Sequence, residues 1–117
     1  MPPILYILTS VACSSLAHFI LKIGANALSR ERIDASMMVA ALGNGWLWLG
    51  MALHVSALGL WIVALSRTDL SYAYPFIGLG FVATTLAGAW LLNEPVSTLR
   101  WSGVGLIVLG VALVAKG

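Results

Sequence analysis

The chain has 117 residues, of which 61% are hydrophobic and 9% charged, against about 25% charged in an average soluble domain. Six Lys or Arg and four Asp or Glu are too few to solvate the surface of a water-soluble domain of this size. A cytosolic enzyme and a nucleic-acid-binding domain are thereby excluded, and the net charge of +2 comes from scattered residues without a basic patch.

A bilayer hydrocarbon core is about 30 Å thick and takes about 20 residues per spanning helix. The length therefore fits one all-α, four-helix membrane unit, a single domain over residues 1–117, and nothing larger. The first apolar stretch follows no basic segment and runs into Lys22 and Asn26 rather than a small-residue cleavage site, so it reads as a retained span. Pro2 and Pro3 suit a helix start, where the missing N–H is not needed. That first span covers about residues 4–26. The next segment, SRERID from Ser29 to Asp34, holds four of the ten charges and belongs in water or among headgroups. Ala35 to Leu42 is apolar but too short to span. Because Gly43, Asn44 and Gly45 interrupt it, it is either an interfacial turn of helix or the start of one long, bent second span.

The second span, about 46–66, opens with Trp46 and Trp48, whose rings favour the membrane interface. Arg67, Thr68 and Asp69 form a tight polar turn that makes the second and third spans antiparallel neighbours. The third, about 70–92, contains Pro75. Pro75 deprives carbonyls near Ser71 of their usual partners, and with Gly78 and Gly80 close behind it predicts a kink or hinge. Asn93-Glu94-Pro95 ends that span. Ser97 is placed to cap the fourth, about 98–115, with Lys116 at the far interface. Arg30, Arg32 and Arg100 lie on one side and Arg67 and Lys116 on the other, a difference too small to orient the chain.

The most informative pattern is on the first span, where Ser10, Ser14, His18, Lys22 and Asn26 recur every four residues and form one polar stripe. Facing lipid, Lys and His would cost several kcal/mol; facing a wet cavity they keep their solvation or meet an anion. The stripe should therefore line the inside of the bundle, although Lys22 is close enough to the span's end for its stem to snorkel outward. Parallel first and third spans bring Lys22 near Glu94, either as a static ion pair or as one that an anionic headgroup opens during transport. His54, near the middle of the second span and close to Trp61, is either a cavity residue or an ordinary core histidine. The hydroxyl of Tyr74 needs water, a polar side chain or a ligand if it points inward. Gly103 and Gly110, seven apart on one face of the fourth span, mark an assembly surface or packing within one bundle.

Two histidines with no carboxylate near them on their helices make a poor metal set, and Cys13, the only cysteine, excludes an internal disulfide. No nucleophile-base-acid set, phosphate-cradling glycine loop or carboxylate pair is present. Transport without a cofactor, metal or enzymatic step is the reading the residues support.

The stretches LWIVALSRTDLSYAYP, WLLNEPVS and RWSGVGLIVLGVALV resemble the EamA-like half of drug/metabolite transporters over most of residues 46–115. The single-unit length also resembles the small multidrug resistance fold, in which two four-helix protomers enclose one site. That likeness implies a dimer, homomeric or with a paralogous subunit. It makes Gly103 and Gly110 counterparts of that family's helix-4 glycine pair, and Tyr74 of its substrate-facing tyrosine. One position departs from the pattern. Counting back from Lys22, Ser14 stands where the drug-exporting branch carries its membrane carboxylate. Without that acid, exchange of protons for a cationic drug lacks its charge carrier, and Lys22 with His18 favours an anionic ligand.

Ser14, the AYP triplet and EPVS resemble the subunits that flip aminoarabinose-phosphoundecaprenol in Gram-negative inner membranes. The resemblance implies a lipid-linked sugar substrate, membrane lipids as surroundings, and alternating access, and the residues read as its candidate site are Ser14, His18, Lys22, His54, Trp61, Tyr74 and Glu94. The alternatives are a small exporter of cations or metabolites and a non-transporting subunit of a sugar-lipid pathway.

Overall fold

The computed structural model describes residues 2–28 and 34–117, so most of the predicted SRERID loop lies outside the described residues. Helix α1 spans Pro3–Asn26, α2 Ala35–Leu42, α3 Gly45–Leu65, α4 Leu70–Ala73, α5 Ile77–Trp90 and α6 Thr98–Lys116. A 3-10 turn, Tyr74–Phe76, joins α4 to α5. Among the described residues, four segments are long and apolar enough to cross a membrane: α1, α3, the composite Leu70–Trp90 and α6. At 1.5 Å per residue the 24-residue α1 is about 36 Å long, enough to span with some tilt.

The break between the first two membrane segments resolves into a separate short helix. The Asp34 carboxylate caps α2, accepting from the Ser36 hydroxyl at 2.6 Å and from the backbone N–H groups of Ser36 and Met37 at 3.0 and 3.2 Å. The Asn44 side chain starts α3 by accepting from the Trp46 N–H, and its Nδ2 donates to the Gly24 carbonyl at 2.9 Å. One asparagine thus ties the start of α3 to the end of α1. Trp48 Nε1 donates to the Leu42 carbonyl at 2.7 Å, closing the corner between α2 and α3.

The Ser36 hydroxyl, followed by the Met37 amide, holds the Asp34 carboxyl below its ordinary value of 3.8. A depressed carboxyl stabilises the fold above its unfolded value, and that contribution disappears as pH falls through the folded one. The Ser36 and Met37 amides should therefore lose hydrogen-exchange protection on acidification below 3.8, whereas Asp34→Ala should lose it at every pH.

The third membrane segment is discontinuous where Pro75 predicts a kink. The chain passes from α4 through the 3-10 turn into α5 because proline lacks the N–H that would continue the α-helical ladder. Ser97 caps α6 as expected, its Oγ accepting from the Arg100 N–H at 3.2 Å.

Inside a bilayer, helices gain little from hydrophobic burial against each other, so close backbone approach and interhelical hydrogen bonds hold the bundle. The buried residues fit that rule: Ala17, Ala57, Ala64 and Ala73 are packed away, as are Gly24 and Gly50. A Cβ on Gly50 would stand 2.7 Å from Leu21 and 3.3 Å from the Ala17 carbonyl. One on Gly78 would stand 2.8 Å from Ile107 of α6. Ser10 Oγ donates to the Ala57 carbonyl at 2.7 Å and Cys13 Sγ to the Leu53 carbonyl at 3.3 Å, stitching α1 to α3. A second cluster of Ile7, Val11, Ala64, Ala73, Phe76 and Val111 closes the opposite end. There Arg67 lies 5.4 Å over the Tyr6 ring, a cation–π contact.

Helix α1 packs on α3 and α5, while α6 rests on α5 and the 3-10 turn. The first segment is therefore the most enclosed of the four and α6 the least. Trp46, Trp48 and Trp90 are exposed at one end of the bundle, as an interfacial aromatic belt requires.

Candidate functional site

Two cavities follow α1, and the polar stripe supplies one wall of each. The deeper, about 190 Å³, is lined by Ser10, Ser14, Ser15, His18, His54 and Trp61, with Gly80, Phe81 and Thr84 opposite. The outer, about 300 Å³, is lined by His18, Lys22, Thr84, Thr85, Glu94 and Arg100, with Gly88 and Pro95. His18 and Thr84 belong to both. Together the cavities track α1 from Ser10 to Lys22, about 18 Å along its axis. Asn26, one turn further on, lines neither cavity.

Each wall has a local cause. Four-residue spacing keeps Ser14, His18 and Lys22 on one drifting face of α1. A Cβ on Gly80 would come within 3.2 Å of Ser15 Oγ and 3.4 Å of Val11, so the glycine lets α5 approach α1 and close the deeper cavity. The hydroxyls of Thr84 and Thr85 bond to their own helix, at 2.9 Å to the Gly80 carbonyl and 2.7 Å to the Phe81 carbonyl. Asn93 has φ 53, in the left-handed region that asparagine tolerates better than most residues. The reversal lets the Glu94 N–H donate to the Gly88 carbonyl at 2.9 Å. The Glu94 carboxylate consequently folds back to 3.6 Å from where a Cβ on Gly88 would stand.

The chemistry divides along the crevice. Among the described residues, the outer cavity carries two cations, Lys22 and Arg100, and one carboxylate, Glu94. The deeper one carries no formal charge but holds two imidazoles whose rings meet edge to face, 5.2 Å apart at 61°. In low-dielectric surroundings an excess of one cation is a binding preference for an anion.

Of the residues singled out from the sequence, Ser14, His18, His54 and Trp61 come together in the deeper cavity, and Lys22 and Glu94 join His18 in the outer one. The direct Lys22–Glu94 ion pair expected from helix direction does not form within 4.0 Å among the described residues, because Glu94 is drawn back over Gly88. Tyr74 is 60% exposed and leans on Trp61, ring centroids 6.3 Å apart, outside both cavities. Gly80 lines the deeper cavity, whereas Gly78 faces α6. Positions where a Cβ would meet nothing within 4 Å include Gly103 and Gly110, so α6 offers them to the surroundings of the chain. Two residues with no site role readable from the sequence, Arg100 and Thr84, also line the crevice. Arg100's place one turn into α6, at the same membrane level as Lys22, was the available signal.

These features define a multi-pass membrane protein with a polar crevice along its first span. Residues 42–116 match the EamA-like transporter family, and the chain belongs to it. It is similar to several proteins named probable 4-amino-4-deoxy-L-arabinose-phosphoundecaprenol flippase subunit ArnE. The one from Pseudomonas savastanoi pv. phaseolicola is 43% identical over 74 residues, 63% of this chain and 65% of that protein. The one from Klebsiella pneumoniae is 47% identical over 68 residues, 56% and 61% of the two chains. One from Pseudomonas fluorescens is 36% identical over 92 residues, 77% and 79% of the two chains. For the first two relatives in rank the likeness spans only 65% and 60% of their length. No solved structure matches the chain. The family match begins at residue 42, so the part of the crevice wall contributed by α1 lies outside it.

Proposed function

We propose that the protein moves a polyprenyl-phosphate-linked aminosugar across the inner membrane by alternating access. The observation that carries this reading is the crevice itself, with Lys22, Arg100 and Glu94 gathered at one end of a polar groove along α1 that holds no other charged residue among those described. The phosphate sits at the two cations, the sugar extends toward Ser14, His54 and Trp61, and the polyprenyl tail stays in lipid through the open seams between helices. Glu94 neutralises part of the cationic charge while the site is empty and can accept from a sugar amine once it is loaded. The names of the relatives support the substrate class. No bond is made or broken, so no enzymatic step enters.

Alternating access needs a flexible element, and the 3-10 turn at Pro75 followed by Gly78 and Gly80 supplies one. It also needs a second half to the site. The small-residue face of α6 at Gly103 and Gly110 is suited to close helix contact with a second copy or a paralogous subunit, which would bring Tyr74 toward a shared passage. Gly103→Leu and Gly110→Leu should lower the dimer fraction in cross-linking experiments in membranes while leaving insertion unchanged. An unaltered dimer fraction would remove α6 from the interface.

The test of function is reconstitution. Vesicles containing the protein, alone or with a paralogous subunit, should move a fluorescent short-chain polyprenyl-phosphate aminosugar between leaflets faster than protein-free vesicles. Equal rates in all three preparations would refute the transport reading.

A further inference from the structure

We propose that the apolar groove beneath α2 is a chain-binding subsite that seats the first isoprene units of the lipid whose phosphate lies in the outer cavity. The proposal rests on the reading of that cavity as a site for a phosphate-bearing headgroup, and adds a place for the chain. The groove holds about 420 Å³ between Leu21 of α1, Met38 and Leu42 of α2, and Leu47, Trp48 and Met51 of α3, within the size range of small-molecule sites. Its side chains present carbon and sulfur, because the Trp48 indole N–H already donates to the Leu42 carbonyl. The floor is sealed. A Cβ on Gly50 would stand 2.7 Å from Leu21, and one on Gly24 2.8 Å from Leu47, so each leucine packs on a glycine of the facing helix. The other side is open, with Met38, Leu42, Trp48 and Met51 all exposed.

Helix register ties the groove to the crevice. On α3, Leu47, Met51, His54, Leu58 and Trp61 follow one another at alternating four- and three-residue steps, so they share one face. Leu47 and Met51 line the groove, and His54, Leu58 and Trp61 line the deeper cavity. On α1, Ser14 and His18 line that cavity, and Leu21, one turn on, lines the groove. The crevice therefore forks at His18. One arm runs toward α5 and α6 and carries Lys22, Arg100 and Glu94; the other runs under α2, where no lining residue is charged. Leu21 and Lys22 are adjacent, so the two arms meet α1 about 1.5 Å apart along its axis, at one depth in the bilayer. The energetics of lipid select the occupant. A free acyl chain already lies among apolar neighbours and gains little from an apolar groove. A chain whose own phosphate is held at Lys22 is delivered there at high effective concentration. Met38 and Met51 suit branched isoprene units, because flexible thioether chains adapt to irregular shapes.

Photolabelling of the full chain in phosphatidylcholine nanodiscs tests the assignment, with farnesyl phosphoethanolamine carrying a diazirine on its first isoprene unit as the probe. The expected result is saturable labelling of Met38 or Met51 that unlabelled farnesyl phosphoethanolamine displaces. Ala41 also lines the groove, and Ala41→Trp should fill it and lower the labelling by about tenfold. Val39 is exposed on the same helix and lines none of these cavities, so Val39→Trp should leave the labelling unchanged. Lys22→Gln should lower it by about tenfold through loss of the tether. A phosphatidylcholine with the diazirine on an acyl chain should label the groove without saturating. Equal labelling by the two probes makes the groove an ordinary lipid contact and overturns the proposal. Labelling confined to α5 or α6, and lost in Lys22→Gln, overturns the groove and leaves the headgroup reading intact. Groove labelling that survives Lys22→Gln keeps the chain subsite and overturns the headgroup reading. No saturable labelling anywhere overturns both. A groove closed to both probes that forms a disulfide between two copies through Met51→Cys, in a Cys13→Ala background, is an interface, which also overturns the proposal.

Discussion

Lys22→Gln is expected to weaken binding of a polyprenyl phosphodiester by about 10- to 150-fold and to stop its translocation. A hydrogen bond to a charged group contributes about 1.5–3 kcal/mol, and Lys22 is one of the two cations in the outer cavity. Because an ammonium acts as a compact point charge, Lys22→Arg should restore binding to within a few-fold of the original, where the longer fork can still reach the phosphate. Glu94→Gln should also stop translocation, but for the opposite reason: among the described residues it removes the only negative charge balancing Lys22 and Arg100 in the cavity, so a bound anion is released less readily. Affinity and translocation measured together separate the two effects. If both variants flip lipid at the full rate, these residues have no part in transport, and Lys22 merely reaches outward to the headgroups.

Gly50→Leu is expected to destabilise the bundle by about 1–3 kcal/mol, the range for overpacking a filled interface. The first carbon of any side chain at Gly50 meets Leu21 at 2.7 Å and the backbone carbonyl of Ala17 at 3.3 Å. Leu21 can rotate away; the carbonyl moves only with its helix. The wedge therefore parts α1 from α3, along the seam that holds His18 beside His54. Gly59 is the matched control on the same helix, with nothing within 4 Å of its Cβ position. Gly59→Leu should change stability by less than about 0.5 kcal/mol. Thermal unfolding in bilayers compares the two. Equal stability of both variants would show that close approach at Gly50 does not hold the helices together.

The spans were legible in the sequence because a bilayer imposes their length and composition before any packing is considered. Their ends agree with the structure to within a residue or two at most boundaries, since caps such as Ser97 and Asn44 are local chemistry. Pro75 announced the break in the third segment for the same reason. The polar face of α1 was also readable, because four-residue spacing puts Ser14, His18 and Lys22 on one side of any α-helix. Whether Ala35–Leu42 was separate from the second span was not readable: that depended on Asn44 reaching back to Gly24, twenty positions away in the chain.

Composition and periodicity by themselves determined that this chain is a four-span membrane protein with one hydrophilic wall, because water, lipid and helix geometry act on every residue independently of its distant neighbours. Only the tertiary structure decided what faces that wall. The left-handed turn at Asn93 carries Glu94 back over Gly88, Arg100 arrives from the next helix, and Gly80 admits α5 close enough for Thr84 to line both cavities with His18. Each of these depends on which helix packs on which, and in lipid that choice is made by small residues and a few hydrogen bonds, whose individual energies are too small and whose partners are too remote to read from the order of residues.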